Sequence, residues 1–102
     1  MNQAQMLAQV RKMQAEMAKA QEELASTVVT GTAGGDAVRV DMTCDFRVTS
    51  VKIGAAAIDP DDAETLEDLI VVAVNDATQK AQETSNKRMG ALTGGLRIPG
   101  MM

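Results

Sequence analysis

The chain has 102 residues, 45% of them hydrophobic, yet Phe46 is the only aromatic and eight residues are methionine. That length is one domain, and small domains already bury a smaller fraction of their surface than large ones, so a core this thin has reason to be shared with a second copy. With no histidine, tryptophan or tyrosine and a net charge of −4, the chain lacks the commonest general base and metal ligand, and composition alone does not suggest a nucleic-acid binder.

Met6, Val10, Met13, Met17, Ala20 and Leu24 are spaced four, three, four, three, four, the seam of a heptad repeat. Good helix formers fill the gaps, predicting a helix from about Asn2 to Ala25, roughly 36 Å long. The β-branched run Thr27-Val28-Val29-Thr30 predicts a strand ending at Gly31, followed by a turn at Gly34-Gly35-Asp36. From Ala37 to Cys44 the chain alternates, with Val38, Val40, Met42 and Cys44 on one face and Arg39, Asp41 and Thr43 on the other, as in a half-buried strand. A third strand, Phe46 to Ile53, slips by one between Val48 and Val51, which predicts a bulge near Thr49-Ser50. Connections this short leave only antiparallel pairing.

Asp59 as N-cap, Pro60 at the first helical position and Asp61, Asp62 and Glu64 in the first turn predict the start of a second helix. Leu66, Leu69, Ile70, Ala73, Val74, Ala77 and Ala81 form its stripe, bulky first and alanine last, to about Lys87. Past Gly90 the sequence is glycine-rich and aperiodic, so residues 91–102 are expected to be a mobile tail and residues 1–90 a single α+β domain. Both helices are expected to cover the same sheet face. Strands of about seven residues span roughly 23 Å, so part of the first helix's seam projects past the sheet, where a partner chain would cover it.

Lone Cys44 cannot form an internal disulfide, which favours a reducing compartment, the cytoplasm. No signal peptide or membrane span is expected. Cys44 continues an apolar strand face and reads as a buried small hydrophobe rather than a nucleophile. The group Asp59, Asp61, Asp62, Glu64, Glu67 and Asp68 lacks EF-hand spacing and reads as capping plus a solvated face. Gly31, Gly34 and Gly35 match neither phosphate-binding glycine pattern and read as turn residues. No catalytic residue, metal site or cofactor is expected. Positive charge is polarised, with Arg11, Lys12 and Lys19 on the first helix and Lys80, Lys87, Arg88 and Arg97 towards the C-terminus; the helix macrodipole explains the second group by itself.

Three blocks resemble the YbaB/EbfC family of bacterial nucleoid-associated proteins, and the resemblance covers nearly the whole chain. They are Met13-Gln14 through Lys19-Ala20-Gln21-Glu22-Glu23-Leu24; Val29-Thr30-Gly31 with Gly34-Gly35 and Val38-Arg39-Val40; and Asp61-Asp62 with Leu66-Glu67-Asp68-Leu69-Ile70 and Asn75-Asp76-Ala77. The resemblance implies an α+β fold (long N-terminal helix, three-stranded antiparallel sheet, long C-terminal helix) in a tweezer-like homodimer that binds double-stranded DNA with little sequence preference, in an architectural or gene-regulatory role at the nucleoid. The sequence departs from the family at Ile53-Gly54-Ala55, where members often have Ile-Asp-Pro, and at Cys44-Asp45-Phe46, where they often turn on glycine.

If the partner is DNA, the scarcity of aromatics removes a stacking platform for single strands, and no basic recognition helix is visible. Contact with the duplex backbone is left. The candidates are Arg11, Lys12, Lys19, Lys80, Lys87 and Arg88, with Met6, Val10, Met13, Met17 and Leu24 as the dimer seam. The competing expectation, favoured by the acidic total, is a protein-interaction module whose projecting helices clasp a replication or recombination partner.

Overall fold

Asn2 caps the first helix: its Oδ1 accepts the Gln5 N–H at 2.8 Å, and Gln5 Oε1 accepts the Asn2 N–H at 3.3 Å, a reciprocal capping box. The structure, a computed structural model, describes residues 2–93. Helix α1 spans Gln3–Ser26. Strands β1 (Val28–Ala33), β2 (Val38–Thr43) and β3 (Val48–Ile53) form an antiparallel sheet in that order. A short 3-10 turn, Ala55–Ala57, leads to helix α2, Ala63–Thr93. The architecture is the α+β arrangement expected.

Strand β1 does not stop at Gly31. It continues to Ala33, and Gly31 is a packing residue rather than a turn residue. A Cβ there would stand 2.2 Å from the Ala73 carbonyl oxygen and 2.4 Å from the Ala77 nitrogen, so only glycine lets the helix backbone lie this close to the strand. The turn that follows uses Gly34, Gly35 and Asp36, all at positive φ.

The predicted bulge is present. Asp41 pairs with Ser50 and Met42 with Val48, leaving Thr49 as the extra residue, its hydroxyl donating to the Asp41 carbonyl at 3.3 Å.

Helix α2 begins later than Asp59-Pro60 predicts. Those residues form a separate turn, in which Asp59 Oδ1 accepts the Asp61 N–H at 2.9 Å and the Asp59 carbonyl accepts the Asp62 N–H at 3.0 Å. Asp62 is the cap: its Oδ1 accepts the Thr65 N–H at 3.3 Å and its Oδ2 the Thr65 hydroxyl at 2.6 Å. Two carboxylates offered the same chemistry, and the one adjoining the uninterrupted helical run took the role. The helix also passes the expected Lys87 and ends at Thr93, so residues 91–93 of the expected tail are helical; the rest of that tail lies outside the described residues.

The core is a single small layer. Val38, Val40, Met42 and Cys44 point inward from β2 and its extension against Ala73, Ala77 and Ala81, which are fully buried. Helix α2 covers most of this face, and α1 shares it only through Leu24 at one end, less than the expectation that both helices would cover it. Six-residue strands offer roughly 20 Å of length, and the alanine stripe fits α2 closely upon it. That leaves α1 room only at its last turns, where Ala20 and Leu24 are its buried residues and the Leu24 carbonyl accepts the Cys44 N–H at 3.0 Å. The rest of α1 stands away from the sheet. The radius of gyration is accordingly 19.5 Å, against about 13 Å for a compact domain of this length.

Candidate nucleic-acid interface

The six predicted basic residues divide into two groups. Arg11, Lys12 and Lys19 lie exposed on α1. At 3.6 residues per turn, Lys12 and Lys19 share one stripe about 20° wide, with Arg11 about 100° round the helix. Both lysines point away from the methionine seam. Lys87 is also exposed, and among the described residues no ion pair engages Arg11, Lys12 or Lys87.

Lys80 and Arg88 also make contacts within the chain while remaining partly exposed. Lys80 Nζ donates to the Thr30 carbonyl at 2.9 Å and lies 3.2 Å from Asp76 Oδ2, while that same carboxylate oxygen accepts the Thr32 N–H at 3.0 Å. The Thr32 N–H foremost, with Lys80 after it, holds the Asp76 carboxyl below its ordinary value. Arg88 Nε donates to Glu23 Oε2 at 2.9 Å. That hydrogen bond, with the charges of Arg88 and Lys19, likewise holds the Glu23 carboxyl down, against the opposing effect of burial.

Sequence reasoning missed a further basic pair. Arg39 and Lys52 are directly opposed across β2 and β3, both exposed, on the sheet face turned away from α2. Like charges in that position repel, so the pair offers a place for an anion. The alternation of β2 exposes Arg39 in the sequence, but Lys52 becomes its partner only through the bulge at Thr49, which shifts the register by one.

The expected dimer seam divides as well. Met6, Val10 and Met17 are 54%, 52% and 38% exposed, Met13 is half-buried, and Leu24 is buried within its own chain. A second apolar surface went unanticipated: Val48 and Val51 on the inward face of β3, together with Val71 of α2, remain about half exposed, because α2 lies over β1 and β2 rather than β3.

Among the described residues no cluster of three or more Cys, Asp or Glu could hold a metal ion, and no helix is long and apolar enough to cross a membrane. Cys44 is buried on the inward face.

Comparison with known proteins gives a consistent result. Residues 1–96 match the model of the YbaB/EbfC DNA-binding family. A nucleoid-associated protein of Chloroflexus aurantiacus is 50% identical over 97 residues, covering 95% of this chain and 97% of its own. One from Roseiflexus sp. strain RS-1 is 49% identical over 100 residues, covering 98% of this chain and 99% of its own. The crystal structure of protein HP0035 from Helicobacter pylori superposes with a TM-score of 0.76 at 21% identity, over 95% of this chain and 99% of that one, a likeness of fold.

Proposed function

This chain belongs to the YbaB/EbfC DNA-binding family, and from that membership we propose that it is a nucleoid-associated protein that binds duplex DNA through the phosphate backbone, with little sequence preference, in an architectural or gene-regulatory role. The family is one of DNA-binding proteins, not enzymes. The names of the relatives support a place at the nucleoid in the cytoplasm.

The observation that carries the binding mode is the exposed set Arg11, Lys12, Lys19 and Lys87 on helices that extend past the sheet. Side chains of this kind on helix flanks meet phosphates, which carry no sequence information. A homodimer doubles the set; the exposed seam of Met6, Val10 and Met17 and the uncovered Val48, Val51 and Val71 are the apolar surfaces that support it. With a chain charge of −4 and Lys80 and Arg88 engaged internally, affinity is modest and falls as salt rises.

The test is a mobility shift on random duplex DNA across a salt series, with the mass of the free protein measured by light scattering. A dimer whose log affinity falls by about 0.9 per phosphate neutralised for each tenfold rise in salt supports the proposal. No binding at low salt, or binding insensitive to salt, overturns it. The acidic total favours one second reading, in which the projecting helices clasp a replication or recombination protein. Lys87→Glu separates the two, because it weakens retention on DNA and leaves capture of a protein partner intact.

A further inference from the structure

Thr32 of β1, Arg39 of β2 and Lys52 of β3 form one row across the sheet, with Arg39 paired to Thr32 on one side and to Lys52 on the other. With strands about 4.8 Å apart, the row is about 10 Å long. It lies on the face turned away from Val38, Val40 and Met42, so α2 packs against the opposite side of the sheet. Arg39 and Lys52 are exposed, and among the described residues neither has an ion pair. The strands place one acid on this face, Asp41 in the next row, and its Oδ1 accepts the Thr30 hydroxyl at 2.8 Å.

Nothing in the fold accounts for the basic pair. Like charges directly opposed on an antiparallel ladder destabilise it. A lysine on an edge strand such as β3 guards against strand addition, but Arg39 stands on the central strand, whose two edges are already paired. Arginine and lysine side chains donate and cannot accept, so an anion seated between them satisfies both and removes their repulsion. The guanidinium fork fits phosphate oxygens, and the Thr32 hydroxyl adds a third donor. An open row of this length suits an extended phosphate backbone. The row is also separate from the basic residues of the helices. Lys87 belongs to α2, on the other side of the sheet, and α1 is anchored at Cys44, five strand positions or roughly 17 Å from Arg39.

Resting on the DNA-binding reading above, we propose that the outer face of the sheet is a second phosphate-contacting surface, where Arg39 and Lys52 hold the backbone of duplex DNA and the Thr32 hydroxyl donates beside them. The double variant Arg39→Gln with Lys52→Gln tests it. Mobility shifts on random duplex over a salt series, thermal melting and light scattering are measured together. The expected result is binding about tenfold weaker, with the salt slope lower by about 0.9 for each phosphate lost, and equally so on duplexes of different sequence. The melting temperature stays at or above that of wild type, because a repulsion has been removed. The exchange Arg39→Lys with Lys52→Arg, which keeps both charges, retains the slope. Wild-type affinity and slope in the double variant, while Lys87→Glu still weakens binding, overturn the sheet surface and leave the DNA reading standing. A lowered melting temperature or a changed molecular mass also overturns it, by assigning the pair to folding or to guarding the β3 edge. Failure of the wild-type protein to bind at all overturns the DNA reading itself.

Discussion

The Arg88 guanidinium meets the Glu23 carboxylate at 2.9 Å across 65 positions of sequence, and this ion pair joins α1 to α2 where both leave the sheet. Arg88 therefore differs from its neighbour Lys87, which faces solvent. Lys87→Glu is expected to weaken DNA binding with the melting temperature unchanged. Arg88→Glu is expected to lower both, and the exchange Glu23→Arg with Arg88→Glu to restore stability. Thermal unfolding beside mobility shifts checks this; equal stability for the two single variants would remove the structural role of Arg88.

Gly31→Ala is expected to be among the most damaging small substitutions in the chain. The new Cβ meets backbone of α2 at 2.2 and 2.4 Å, which cannot swing aside as a side chain would. A cost at the upper end of overpacking, about 3 kcal/mol, corresponds to a fall in melting temperature of more than about 10 °C for a domain of this size. Gly35→Ala has open space around it and only a left-handed φ of 61° to accommodate, for about 1 kcal/mol. Thermal melts of the two variants rank them.

Acid should loosen the grip of α2 on β1. The Thr32 N–H and Lys80 hold the Asp76 carboxyl below its ordinary value, so the folded state favours the ionised form. Such a group contributes its stability fully above the ordinary carboxylate range, near about pH 4, and loses it as pH falls through the lowered folded value. Asp76→Asn abolishes that contribution at every pH. The gap in melting temperature between wild type and Asp76→Asn is expected to be widest near about pH 6 and to narrow towards about pH 3; a constant gap would mean that the charge of Asp76 is immaterial.

Two apolar surfaces compete to be the dimer contact, and paired substitutions distinguish them. Val10→Glu with Met17→Glu disrupts the exposed seam of α1, whereas Val51→Glu disrupts the uncovered edge of the inward sheet face. Light scattering reports which change yields monomers. A dimer that survives both would place the contact elsewhere.

The sequence carried the elements and their order because each rests on local signals: the heptad spacing of α1, the alternation of β2, and the slip between Val48 and Val51 that the bulge at Thr49 explains. It misled where two distant segments decide together. Gly31 follows a β-branched run and reads as a stop, yet its absent side chain answers to Ala73 and Ala77, more than forty positions later; a glycine in a strand matched to an alanine stripe in a helix was the available signal. The partners of Lys80 and Arg88 were not legible at all, because charge is visible in sequence and the groups it meets, Thr30, Asp76 and Glu23, are not. Phe46 was counted as a scarce aromatic, and its strained φ emerged only with the turn.

The contacts of Asp76 and Lys80 with β1 also govern how the sheet can grow. The exposed edge of a β-strand is a template for another strand, but here the Thr32 N–H and the Thr30 carbonyl, two central groups that an incoming strand would need, are already taken by side chains of α2. Only the β3 edge remains receptive. A sheet with one sealed border can be joined once, like to like, and then presents two sealed borders to the surroundings, so strand addition ends at a pair and cannot propagate into a fibre.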